Sequence, residues 1–86
     1  PQIEALSTAF PPLTKEELQK EWGRQLYLGA RFACDMDFYR AITDFRHALY
    51  LLPKNETARR HQIEFSILQC YYLGQKYQDA VLYYES

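Results

Sequence analysis

The chain has 86 residues, with ten Lys and Arg set against eleven Asp and Glu for a net charge of −1, so it carries no electrostatic footprint for nucleic acid or an anionic membrane. A chain of this size makes one small domain that buries only about 60–65% of its unfolded surface. No run approaches the roughly 18 apolar residues of a membrane span, so a soluble segment is expected, with the compartment, cytoplasmic or bacterial periplasmic, left open. Eight Tyr, five Phe and one Trp are the compositional outlier, and they read as bulky rings filling the gaps between short packed helices.

Residues 1–13 read as an extended or flexible arm, because Pro11-Pro12 forbids helix and favours polyproline geometry. Ile3, Leu6 and Phe10 either dock on a neighbouring surface or belong to a linker. The opening Pro1-Gln2-Ile3-Glu4 has no initiator methionine, basic leader or lipidation signature, and a processed product or excised fragment is expected.

A helical domain over 14–86 follows. Thr14-Lys15-Glu16-Glu17 is a capping box, in which hydroxyl and carboxylate satisfy orphan amides reciprocally, with Leu13 and Leu18 placed as its hydrophobic staple. Leu18, Trp22, Leu26, Gly29 and Phe32 continue one apolar side to Cys34, which predicts a single first helix of about six turns. Cys34-Asp35-Met36-Asp37 is the turn, and Asp37 caps the second helix. There Phe38, Ala41, Ile42, Phe45, Ala48, Leu49 and Leu52 recur at steps of three and four until Pro53 stops the helix. Gly29, Ala41 and Ala48 sit where bulkier side chains would hold two antiparallel backbones apart. A loop over 54–57 is predicted, capped by Asn55 or Thr57. A third helix then carries Ile63, Ile67, Leu68, Tyr71 and Tyr72. Gly74 is expected to close it, with a turn at Gln75-Lys76 and a fourth helix from Tyr77.

Gln25-x2-Leu28-Gly29-x2-Phe32, Ala41-x3-Phe45 and Pro53 together resemble a tetratricopeptide repeat, whose pattern is W-x2-L-G-x2-Y, A-x3-F and P. Gln25 replaces the tryptophan, and Trp22 one turn earlier is placed to fill that space. A second, degraded copy lies 39 residues on: Ala80 matches Ala41, Tyr77 matches Phe38, Tyr84 matches Phe45, Tyr71 matches Phe32, and Ile67 matches Leu28. Gly29 becomes Leu68. The resemblance implies an all-α fold of antiparallel helical hairpins stacked as a short solenoid, with repeat one at about 22–55 and an incomplete repeat two at about 61–86. The stretched period also resembles the repeat arrays of bacterial envelope-assembly lipoproteins.

In this family the first helix of each pair lines a concave groove for a peptide or partner helix. Carried onto this chain, the groove positions are Leu26, Ala30 and Ala33, then Phe65, Gln69 and Tyr72. None is basic, so clamping of acidic C-terminal tails is not implied. A protein-binding adaptor for an apolar peptide or helix is expected. The alternative is a structural spacer or oligomerisation piece of a longer repeat protein, self-associating through an open end at Val81, Tyr83 and Tyr84. Cys34, Cys70, His47 and His61 share no ligand spacing, and there is no phosphate loop or nucleophile motif. No enzyme, metal or cofactor is expected.

Overall fold

The computed structural model describes residues 13–85, without the side chains of residue 80 and residues 83–85; the expected arm over 1–12 lies outside the described residues. Four α-helices and no strand are present among them: α1 (Lys15–Gln19), α2 (Glu21–Cys34), α3 (Phe38–Leu51) and α4 (Thr57–Glu85). The all-α class is therefore as expected. α2 and α3 form an antiparallel hairpin, and the first half of α4 packs on α3, its Ile63 and Cys70 joining the core of the hairpin.

The capping box at the start of α1 forms as expected. Glu17 N–H donates to Thr14 Oγ1 (3.1 Å), and Thr14 N–H donates to Glu17 Oε1 (2.9 Å). The single six-turn first helix does not form. Lys20 takes up extended backbone (φ −83°, ψ 148°) and splits the segment into α1 and α2. Gly23 explains the break: a β-carbon there would fall on the Glu17 carbonyl oxygen and 2.6 Å from the Glu17 carbonyl carbon. Only a glycine lets α1 fold back so tightly on the following helix. The Gln19 carbonyl freed by the break accepts a bond from Arg24 Nη1 (2.9 Å). α1 is then fastened across the molecule, because Arg59 Nη2 at the start of α4 reaches Glu17 Oε2 at 2.8 Å.

The α2–α3 hairpin holds the core. Trp22, Leu26 and Ala33 of α2 are buried against Phe38, Ala41, Phe45 and Ala48 of α3, with Leu52 beside them. Gly29 is buried in the same seam, and its neighbours are the ring of Phe45 and the carbonyl of Ala41. Small residues at Gly29, Ala41 and Ala48 thus let the two backbones approach. The α2–α3 turn closes with two bonds, Asp37 N–H to Phe32 O (2.8 Å) and Met36 N–H to Ala33 O (3.0 Å), with Met36 at φ 64°. That is a Schellman ending in which methionine occupies the left-handed position usually given to glycine. Asp37 then caps α3 by accepting Arg40 N–H at 3.3 Å.

Beyond Pro53 the loop leads into α4 at Thr57, with Arg60 N–H donating to Glu56 O, so neither Asn55 nor Thr57 is the capping residue. The expected closure at Gly74 and the turn at Gln75-Lys76 do not form; α4 runs unbroken from Thr57 to Glu85. Gly74 keeps an ordinary negative φ and lies against Phe38, the first residue of α3, with its Cβ direction 3.7 Å from the Phe38 Cβ. A 29-residue helix is about 44 Å long, against about 21 Å for each 14-residue helix of the hairpin. Gly74 is level with the first residue of α3, so the helix after it passes the α2–α3 turn, with Gln75, Tyr77 and Gln78 beside that turn, and then runs on beyond it.

Candidate functional site

α4 has two faces with opposite fates. Ile63, Ser66 and Cys70 point at α3 and are fully or almost fully buried. Burial pushes the Cys70 thiol up to about 11, since a thiolate there would lose its hydration. Ser66 is satisfied locally by donating to Gln62 O at 2.8 Å. An Arg46 Nη2 bond to Tyr71 Oη at 2.6 Å ties the outer edge of α3 to α4.

The other face is bare. Phe65, Leu68 and Tyr72 fall at steps of three and four, so they line one stripe, and they are 58%, 66% and 61% exposed. Scattered exposed apolar residues are ordinary, but three large ones in register along a helix form a contiguous patch. Beside them, the Gln69 Oε1 is buried with no hydrogen-bond partner.

Among the described residues, concavities flank this helix. One, of about 370 Å³, lies where the α2–α3 turn and the start of α3 meet the middle of α4; Met36, Asp37, Phe38, Ile42, Tyr71, Gly74 and Tyr77 line it. The second, of about 310 Å³, is an apolar shelf on the projecting end of α4, formed by Tyr77, Gln78, Val81 and Leu82. Neither gathers catalytic chemistry. Among the described residues no group of three or more His, Cys, Asp or Glu side chains is placed to hold a metal ion. Asp44 has its carboxyl shifted up by desolvation, with His47 opposing, and it stands alone on α3 rather than in a carboxylate pair. No helix among the described residues is long and apolar enough to cross a membrane.

The six groove residues expected from the sequence are not brought together. Leu26 and Ala33 are 2% and 1% exposed, so both belong to the hairpin core and cannot line a groove. Ala30 and Gln69 are half-buried, and Phe65 and Tyr72 are exposed on α4. The error is physical: Leu26, Gly29 and Ala33 lie at steps of three and four, so the face that packs Gly29 on α3 takes the other two with it. That spacing was the available signal. Leu68, the most exposed residue of the stripe, is not among the six, because it stands in register with Gly29, which packs between helices. The side chains of Tyr83 and Tyr84, expected at an open end, lie outside the described residues, while Val81 is 37% exposed.

No protein-family model, curated protein or solved structure matches the chain.

Proposed function

We propose that the chain is a protein-interaction module of tetratricopeptide-like design whose α4 stripe receives an apolar helical segment. The observation that carries this reading is the bare row Phe65, Leu68 and Tyr72 on a helix whose opposite face is fully packed. The close Gly29–Phe45 seam supports the tetratricopeptide-like comparison, because a small residue at that point of the hairpin is what the family pattern asks for. A partner helix with apolar residues at steps of three and four would bury such a row by ridge-into-groove packing. The reading replaces the six-residue groove with a convex helix face, and it assigns no catalytic step to the chain.

The test uses a fluorescently labelled synthetic amphipathic helix, with leucines at steps of three and four, and a scrambled peptide of the same composition. Saturable binding of the patterned peptide, weakened about tenfold or more by Phe65→Arg or Tyr72→Arg, supports the reading. Both positions are exposed, so the circular dichroism of the variants is expected to match the parent. Equal binding of the scrambled peptide, or binding indifferent to both substitutions, overturns it.

A further inference from the structure

The α2–α3 hairpin supplies a pattern against which the bare stripe on α4 can be read. On the 39-residue register, the α2 residues that pack on α3, namely Trp22, Leu26, Gly29 and Ala33, correspond to His61, Phe65, Leu68 and Tyr72 of α4. The first set is buried and the second is exposed. The covering helix has its counterpart too: Phe38, Ala41 and Phe45 of α3 correspond to Tyr77, Ala80 and Tyr84. The chain thus contains both an uncovered face and the sequence of its cover. They cannot meet within one copy of this structure, because both lie on a single unbroken helix.

We propose that residues 77–85 of a second copy of this chain dock on Phe65, Leu68 and Tyr72. This deepens the preceding reading and rests on it, since it names the partner of the same face. Three features fit the donor segment. Its first two residues, Tyr77 and Gln78, line the concavity beside the α2–α3 turn, and the stretch 79–85, about 10 Å of helix, runs on beyond the start of α3. Its described apolar side chains are open to solvent, Tyr77 at 50% and Leu82 at 63%. It carries Asp79 and Glu85 and no basic residue, and antiparallel docking on the hairpin's pattern brings its acidic end toward the start of α4, where Arg60 lies beside the Arg59 already held by Glu17. Exchange of an equivalent element between copies keeps contacts the sequence already encodes. Positions 77, 80 and 84 lie about a third of a turn around α4 from 65, 68 and 72, so two straight helices do not satisfy both contacts at once and the exchange grows head to tail.

The experiment is sedimentation equilibrium on the 86-residue chain. A mass above the monomer is expected, falling to the monomer in Leu68→Arg, which damages the face, and in Val81→Arg, which damages the segment. Tyr50→Arg, at an 86% exposed site on α3, is expected to leave the mass unchanged. Mixing the Leu68→Arg and Val81→Arg chains restores one intact face with one intact segment, so a heterodimer is expected. A monomeric parent chain, association indifferent to both variants, or a mixture that stays monomeric overturns the exchange. Spin labels at His61 and Leu82 add a second readout, since 21 residues of straight helix separate them by about 31 Å. A much shorter distance within a monomer means the chain covers its own face, and the exchange fails. A monomer that still binds the patterned peptide sinks the exchange and leaves the docking face standing; one that binds neither sinks both.

Discussion

Gly29 and Phe45 touch so closely that a β-carbon added to Gly29 would lie 2.6 Å from both Cδ1 and Cε1 of the ring. The ring cannot retreat easily, because Phe45 is fully buried, and the Ala41 carbonyl stands 3.3 Å away on the same side. Gly29→Ala therefore sets two effects against each other. Alanine gains about 1 kcal/mol of helix propensity. Overpacking a tight core costs about 1–3 kcal/mol. With a fully buried aromatic ring at 2.6 Å, the cost falls in the upper part of that range, about 2–3 kcal/mol, and a net loss of about 1–2 kcal/mol is expected. For a domain of this size that lowers Tm by roughly 4–16 °C, measurable by circular dichroism. An unchanged or raised Tm would show that the two helices stand further apart.

Glu17 joins two jobs in one carboxylate. Its Oε1 accepts the Thr14 backbone N–H, and its Oε2 accepts Arg59 Nη2. The Thr14 amide foremost, and then Arg59, hold its pKa below the ordinary 4.5, with partial burial opposing. The sign follows from linkage: a group more acidic in the folded than in the unfolded chain adds stability above the unfolded value, and that stability is lost as pH falls through the folded one. Acidification from about pH 6 to about pH 3 is thus expected to lower Tm more in the parent chain than in Glu17→Gln, which is already uncharged. Parallel pH profiles in the two proteins would show that the contact contributes nothing to stability.

The hairpin from Trp22 to Leu52 was legible because its determinants are local and periodic. Gly29, Ala41, Phe45 and Ala48 each announce the seam by size and spacing, and the capping box by residue type. The breaks were harder to read, since they depend on contacts between residues that no period connects. Lys20 carries no stop signal; the helix ends there because Gly23 admits the Glu17 carbonyl. Gly74 carries a strong stop signal that is overruled, because its backbone lies against Phe38 and the helix continues past it. The candidate site suffered in the same way. Which face of α4 is buried depends on α3 lying against Ile63, Ser66 and Cys70, and an apolar pattern that runs around the helix does not choose between faces.

Met36 is a second place where one substitution reads the backbone. It holds φ 64° at the left-handed position that closes α2, and its side chain is 40% exposed, so little packing depends on it. A side chain in that region costs about 1–2 kcal/mol. Glycine removes the cost but adds about 0.5–1 kcal/mol of unfolded-state freedom. Met36→Gly is expected to raise stability by up to about 1.5 kcal/mol, and Met36→Val, with its branched β-carbon, to lower it. Urea titration of the three proteins gives the order, and a loss on going to glycine would show that the turn does not use the left-handed conformation.

Gly74→Ala separates the straight α4 from the hairpin that its sequence suggests. In the straight helix Gly74 has a helical backbone, and a β-carbon would meet Phe38 Cβ at 3.7 Å, an ordinary contact. Nothing then opposes the propensity of alanine, and the substitution is expected to stabilise the chain by up to about 1 kcal/mol. Were Gly74 instead the left-handed residue ending a shorter helix, alanine would carry the steric penalty of that region and lose about 1–2 kcal/mol. The two structures therefore predict opposite signs for one methyl group. A rise in the urea midpoint with unchanged slope identifies the continuous helix, because the slope reports the surface exposed on unfolding and that surface is the same in both proteins. A fall in the midpoint would break α4 at Gly74, and it would return residues 77–85 to the face of their own chain.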